Sequence, residues 1–145
     1  MGKPIVEAIR AAGVVGAGGA GLPAHVKADA TAQTVLVNVA SCEPLLMSDP
    51  FLMETQADTL VRGLKIMMDC TGAANGIICL KGKHAGAMNS VREAASRLGE
   101  GRISVFELGD FYPAGDEQVM VYEVLGKVVP ERGIPLQIGA VVSNV

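Results

Sequence analysis

From Thr34 onward, short apolar runs alternate with segments of helical periodicity, and this alternation narrows the folding options of the chain more than any other feature. Thr34 to Val39, Gly76 to Leu80, Arg102 to Leu108 and Ile138 to Val142 each read as a buried strand bounded by turn residues. Between the first two, Ser48-Asp49-Pro50 reads as a cap followed by proline in a first helical turn. That helix is expected to run to about Cys70, with Phe51, Leu60, Val61, Leu64 and Met67 or Met68 on its apolar side. A second helix, from about Ala85 to Leu98, turns Met88, Val91, Ala95 and Leu98 inward. A third carries Val119, Tyr122 and Leu125 and stops at Gly126. Strands separated by helices pair in parallel through crossovers. The expected fold is therefore α/β, a three-layer structure with a largely parallel sheet and helices on both faces. The 145 residues suffice for one domain, residues 1–145. With three Phe, two Tyr and no Trp, its core must be built from aliphatic side chains and Met.

Upstream lies Gly16-Ala17-Gly18-Gly19-Ala20-Gly21, four glycines in six residues. Such a stretch permits positive φ and lets an anion approach backbone N–H groups, and Lys27 six residues later can add a point charge. The structural alternative is a plain turn. A P-loop requires Lys followed by Ser or Thr after its last glycine, whereas Leu22-Pro23 follows here. A Rossmann dinucleotide loop follows a strand. The residues before this loop are helical instead: Pro4 suits a first turn, Ile5, Ala8, Ile9 and Ala12 share helical spacing, and Gly13 suits a C-terminal cap. The loop therefore leaves a helix, and neither standard phosphate loop applies.

A net charge of −3 without a basic run disfavours nucleic acid as a partner. No apolar segment reaches the ~18 residues needed to span a bilayer and no signal peptide is recognisable, so the chain is expected to be soluble and cytoplasmic. Cys42, Cys70 and Cys79 are too few and too scattered for a disulfide framework or a zinc site. Without a C-x-x-C, this chain is expected to ligate no ferredoxin-type cluster.

Candidate binding residues gather at strand ends, where ligands collect in open α/β sheets. Asn38 lies near the end of the first strand, and its amide offers a donor and an acceptor together. Cys42-Glu43-Pro44 follows, with Cys42 read as a small buried residue. Gly109 to Glu117 leads from the third strand to a helix, and Asp116 and Glu117 stand where acidic side chains complement a helix N-terminus.

The ordered pair GxGGAGxPxxxK, from Gly16 to Lys27, and N-x-x-x-C-E-P, from Asn38 to Pro44, resembles the flavin-binding domain of RnfC, the peripheral electron-entry component of the Rnf complex. It is similar, more distantly, to the NADH- and flavin-binding subunit of respiratory complex I, and to a soluble relative that acts with proline reductase. The resemblance runs from Ile9 to Val145. It implies a Rossmann-like FMN-binding domain, cut from a longer protein whose later domains carry 4Fe-4S clusters. The implied activity is acceptance of a hydride from NADH and passage of electrons to those iron–sulfur domains or subunits, at most peripherally at the inner face of the cell membrane. By the same resemblance Gly16, Gly18, Gly19, Gly21 and Lys27 cradle the phosphate, while Asn38, Glu117 and Asn144 fix the ring and ribityl chain. Glu43 and Tyr112 flank the nicotinamide, and the loop holding Tyr112, Gly115, Asp116 and Glu117 closes over both ring systems. No catalytic side chain is implied, because the cofactor carries the chemistry, and His25 is incidental. The complex I protein has arginine in place of Ala17, phenylalanine in place of Leu22 and acidic residues in place of Ala40 and Ser41. Of these, Ala17, Leu22 and Ser41 favour a second reading, a non-catalytic docking domain that kept the fold but lost flavin or NADH.

Overall fold

The computed structural model describes residues 2–16, 21–43 and 45–145. Its elements in chain order are α1 (Gly2–Ala11), α2 (Ala24–Ala28), β1 (Thr34–Val39), α3 (Ser48–Thr71), β2 (Asn75–Lys81), α4 (Ala85–Leu98), β3 (Ile103–Leu108), α5 (Glu117–Leu125) and β4 (Ala140–Asn144), with a 3-10 turn over Pro135–Ile138 before β4. The four strands form one parallel sheet in the order β3-β2-β1-β4.

Alternation of side chains along β1 divides the core between the two faces. Val35, Val37 and Val39 join Met53, Val61, Leu64 and Met68 of α3 and Met88 and Val91 of α4. Leu36 and Ala40 point the other way and join Met120 and Val121 of α5. The expected three layers and parallel sheet are thus present. Gly76 permits the tight seat of α3 on β2: a Cβ there would lie 2.7 Å from Met68 Sδ and 3.0 Å from Leu64 Cδ2.

Several local expectations need correction. The inward stripe of α3 is Met53, Ala57, Val61, Leu64 and Met68, whereas Phe51 is 63% exposed. Phe51 precedes Met53 by two positions, about 200° around the helix, and so faces water. In α1 the buried residue is Val6, while Ala8 and Ala12 are exposed. In α5, Met120 and Val121 are buried and Tyr122 is exposed. The last strand starts at Ala140 rather than Ile138, because Pro135 opens a 3-10 turn that Gly139 ends with φ +77°. Lys27 lies on α2, a short helix that the sequence pattern did not reveal.

The chain builds the sheet outward from β1 to β2 and β3, then returns past β1 to lay down β4 on its other side. The order therefore reverses between β1 and β4, with α5 on the face opposite α3 and α4. In open α/β sheets, the crevice beyond the carboxyl ends of strands at such a reversal is where ligands bind.

Candidate functional site

That crevice is flanked by two asparagines. Asn38 and Asn144 are register partners at the ends of β1 and β4, and both line a cleft of about 610 Å³. Both share the face of Leu36 and Val142, which is the α5 face. The loop entering α5 supplies the facing wall through Tyr112, Pro113, Gly115 and Asp116. The loop leaving β1 supplies Ala40, Ser41, Cys42 and Glu43.

Two hydrogen bonds hold the two loops together, and a third is local to the end of β1. Asn38 Nδ2 donates to Gly115 O at 2.8 Å, and Asn38 Oδ1 accepts from Ala40 N at 3.1 Å. Gly115 N donates to Cys42 Sγ at 3.0 Å. The Asn38 amide retains a second N–H and a second lone pair for a ligand. Gly115 has no room for a side chain: a Cβ would lie 3.0 Å from both Ala40 Cβ and Cys42 Sγ. Cys42 is half-buried rather than buried, and its sulfur belongs to the cleft wall.

Asp116 caps α5, its Oδ1 accepting from Gln118 N at 2.9 Å and Val119 N at 3.1 Å. Glu117 begins the helix and pairs with Lys27 at 3.5 Å. Lys27 Nζ also donates to Val142 O at 2.6 Å, two residues before Asn144, so α2, α5 and β4 are tied beside the cleft. Tyr112 and Glu43 are exposed on the wall, Tyr112 at 76%.

Of the twelve residues singled out in the sequence, Asn38, Glu43, Tyr112, Gly115, Asp116 and Asn144 converge on this cleft. Lys27 and Glu117 lie beside it through Val142. Gly18 and Gly19 lie outside the described residues. Gly16 and Gly21 flank a clasp: Gly16 N donates to Leu22 O, Ala24 N donates to Val14 O, and Val15 bridges Pro23. The clasp occupies the N–H of Gly16, and Gly21 has φ +66°.

Sequence reasoning missed Ser41 as a cleft residue. It adopts φ +43°, and its buried Oγ has no hydrogen-bond partner among the described residues. A buried hydroxyl without a partner costs about 1–3 kcal/mol, and a polar ligand in the cleft would satisfy it. The missed signal was a polar residue in the strand-end loop that follows Asn38. A flavin suits these residues: the cleft volume is in the ordinary range for small-molecule sites, the two amides offer paired donors and acceptors, and the Ser41 hydroxyl is unclaimed. Among the described residues no His, Cys, Asp and Glu cluster could hold a metal ion, and no helix is long and apolar enough to cross a membrane.

A family model described as the Nuo51 FMN-binding domain matches residues 9–145. Cobalamin reductase PduS of Citrobacter freundii is 49% identical over 143 residues, covering 99% of this chain and 31% of that protein. A component of the Na(+)-translocating ferredoxin:NAD(+) oxidoreductase complex of Acetobacterium woodii is 36% identical over 138 residues, covering 92% of this chain and 31% of that protein. The chain thus spans about three-tenths of the length of these curated relatives. Among solved structures, an NAD+-reducing NiFe-hydrogenase in the H2-reduced state superimposes with a TM-score of 0.86 at 21% identity, covering 99% of this chain and 29% of that one. At that identity the likeness shows the fold alone.

Proposed function

The chain belongs to the Nuo51 FMN-binding domain family, and on that premise we propose that it binds FMN non-covalently, takes a hydride from NADH and passes electrons to iron–sulfur centres outside this chain. The observation that carries the reading is the pairing of Asn38 with Asn144 across the strand-order reversal, facing one 610 Å³ cleft. When bound, FMN supplies the exchange between a two-electron donor and one-electron acceptors.

The chain's own work is binding and orientation. Asn38 and Asn144 present amide edges to the ring and ribityl chain, and the Asn38–Gly115 and Cys42–Gly115 bonds keep the facing loop at a fixed separation. Ser41 Oγ, unpartnered among the described residues, hydrogen-bonds the cofactor. Gly18, Gly19 and Gly21 of the glycine-rich loop, with Lys27, serve the phosphate, the Gly16 N–H being taken up by Leu22 O. Glu43 and Tyr112, exposed on the outer wall, flank the nicotinamide. The Acetobacterium woodii relative belongs to a ferredoxin:NAD(+) oxidoreductase, which supports a nicotinamide as the two-electron partner.

Anaerobic mixing of the FMN-loaded chain with NADH tests the reading. Bleaching of the flavin band is the expected result. Tight FMN binding without bleaching by NADH would remove the nicotinamide and leave a flavin relay fed by another protein.

A further inference from the structure

A second cavity of about 320 Å³ opens beside the cleft, sharing Ser41, Cys42, Glu43, Leu46 and Tyr112 with it. Much of its remaining wall comes from the end of β2 and the segment leaving it, Lys81, Lys83 and His84, and from Asp110 and Phe111 after β3. None of these five residues figures in the flavin reading.

The charge balance there is uneven. Lys81 ends β2 with its side chain only 5% exposed. An ammonium in that position requires close anionic partners. Its ion-pair partner is Asp110, at 3.3 Å, and the same Oδ1 of Asp110 also receives Lys83 Nζ at 2.9 Å. Among the described residues, Asp110 is the single carboxylate within ion-pair distance of either lysine, and it is itself 57% exposed. Two ammonium groups thus share one carboxylate oxygen, with His84 beside them and Glu43 on the wall but beyond pairing distance. Each ammonium has three donors and, among the described residues, one anionic contact, so donors remain for an incoming anion. Lysine serves phosphate as a point charge, and Tyr112 and Phe111 give flat walls beside it.

We propose that this cavity is an anion subsite that takes a phosphate or phosphoanhydride group of a small ligand, with Lys81 and Lys83 as its donors. It adjoins the flavin cleft and shares wall residues with it, but its donors, Lys81 and Lys83, take no part in the reaction assigned to that cleft. Asp110 holds the two lysines in place and competes with the ligand for them.

Inorganic pyrophosphate is the probe, titrated calorimetrically into the 145-residue chain saturated with FMN, which fills the phosphate cradle of the flavin site. The expected result is one pyrophosphate per chain. Lys83→Ala should weaken it about tenfold or more, Lys83→Arg should restore much of the loss, and neither should change FMN affinity. Asp110→Asn, checked for folding by circular dichroism, should tighten pyrophosphate binding, the opposite of what a structural role for the carboxylate predicts. Absence of binding to the FMN-saturated chain, or an affinity unmoved by Lys83→Ala, would overturn the proposal.

Discussion

Asn38 and Asn144 stand side by side as register partners at the carboxyl ends of β1 and β4, on the face that α5 covers. They are 106 positions apart in sequence, and the return of the chain from β3 past β1 makes them neighbours. A cleft that faces both amides can be built only after β4 has closed onto β1, so site and topology are one event. Loss of β4 should abolish ligand binding even where the rest of the sheet survives.

Gly115→Ala should harm both stability and flavin binding. The added methyl would meet Ala40 Cβ and Cys42 Sγ at 3.0 Å, which forces the loop away from β1 and lengthens the Asn38–Gly115 bond. Overpacking of this kind costs about 1–3 kcal/mol. Thermal melts should register the loss, and FMN titration should show a weaker site. An unchanged melt and affinity would mean the loop moves freely.

Lys27→Ala should separate phosphate recognition from scaffold. A charge-assisted contact to the phosphate is worth about 1.5–3 kcal/mol, so FMN should weaken by roughly tenfold or more beyond any loss for riboflavin. Lys27 also holds Val142 O and Glu117. Equal losses for the two flavins would assign the lysine to that scaffold alone.

Asp110 gives a pH signature. The hydrogen bond from Lys83, followed by Lys81, holds its carboxyl below the usual carboxylate range. The folded-state pKa lies below the unfolded one, so this stabilisation is present above the ordinary value near 3.8 and is lost as pH falls through the folded value. Urea unfolding followed from neutral into acid pH should therefore decline less steeply for Asp110→Asn than for the parent chain. Parallel declines would show that the lysines do not favour the ionised form.

The three thiols should differ in reactivity. Burial pushes Cys79 up to about 12, so in mildly alkaline buffer it is a neutral, enclosed thiol. Cys42 lines both cavities and is half-buried. Iodoacetamide on the native chain should spare Cys79 and modify Cys42, with bound FMN protecting Cys42. Mass spectrometry of the digest reads out each site, and labelling of Cys79 before Cys42 would contradict the assignment.

Much of the fold was legible because strand and helix periods are local. The runs around Val35, Ile78 and Val105 and the spacing of Val61, Leu64 and Met68 signal their elements directly. What local pattern could not supply was strand order, hence the meeting of Asn38 with Asn144, or the rotation that leaves Phe51 in water. The resemblance to a flavin domain pointed to six residues that meet at one cleft, but not to their mutual bonds. Asp116 caps α5 through bonds to residues two and three positions on, as its place at the helix N-terminus suggested, whereas Lys27 pairs with Glu117 across 90 positions, a contact set by three-dimensional proximity. Lys81 escaped notice, and Ser41 stood out only as a departure from an acidic pattern, because a serine in a loop and a lysine after a strand carry no signal of their own until burial is known.

Titration of the apo chain with FMN, followed by quenching of flavin fluorescence, tests the central claim most directly. One saturable site per chain is expected, weakened by Asn38→Ala and by Asn144→Ala. A chain that is folded by circular dichroism yet shows no saturable FMN binding, or one whose binding is indifferent to both asparagines, would contradict the assignment of the flavin to the β1–β4 cleft.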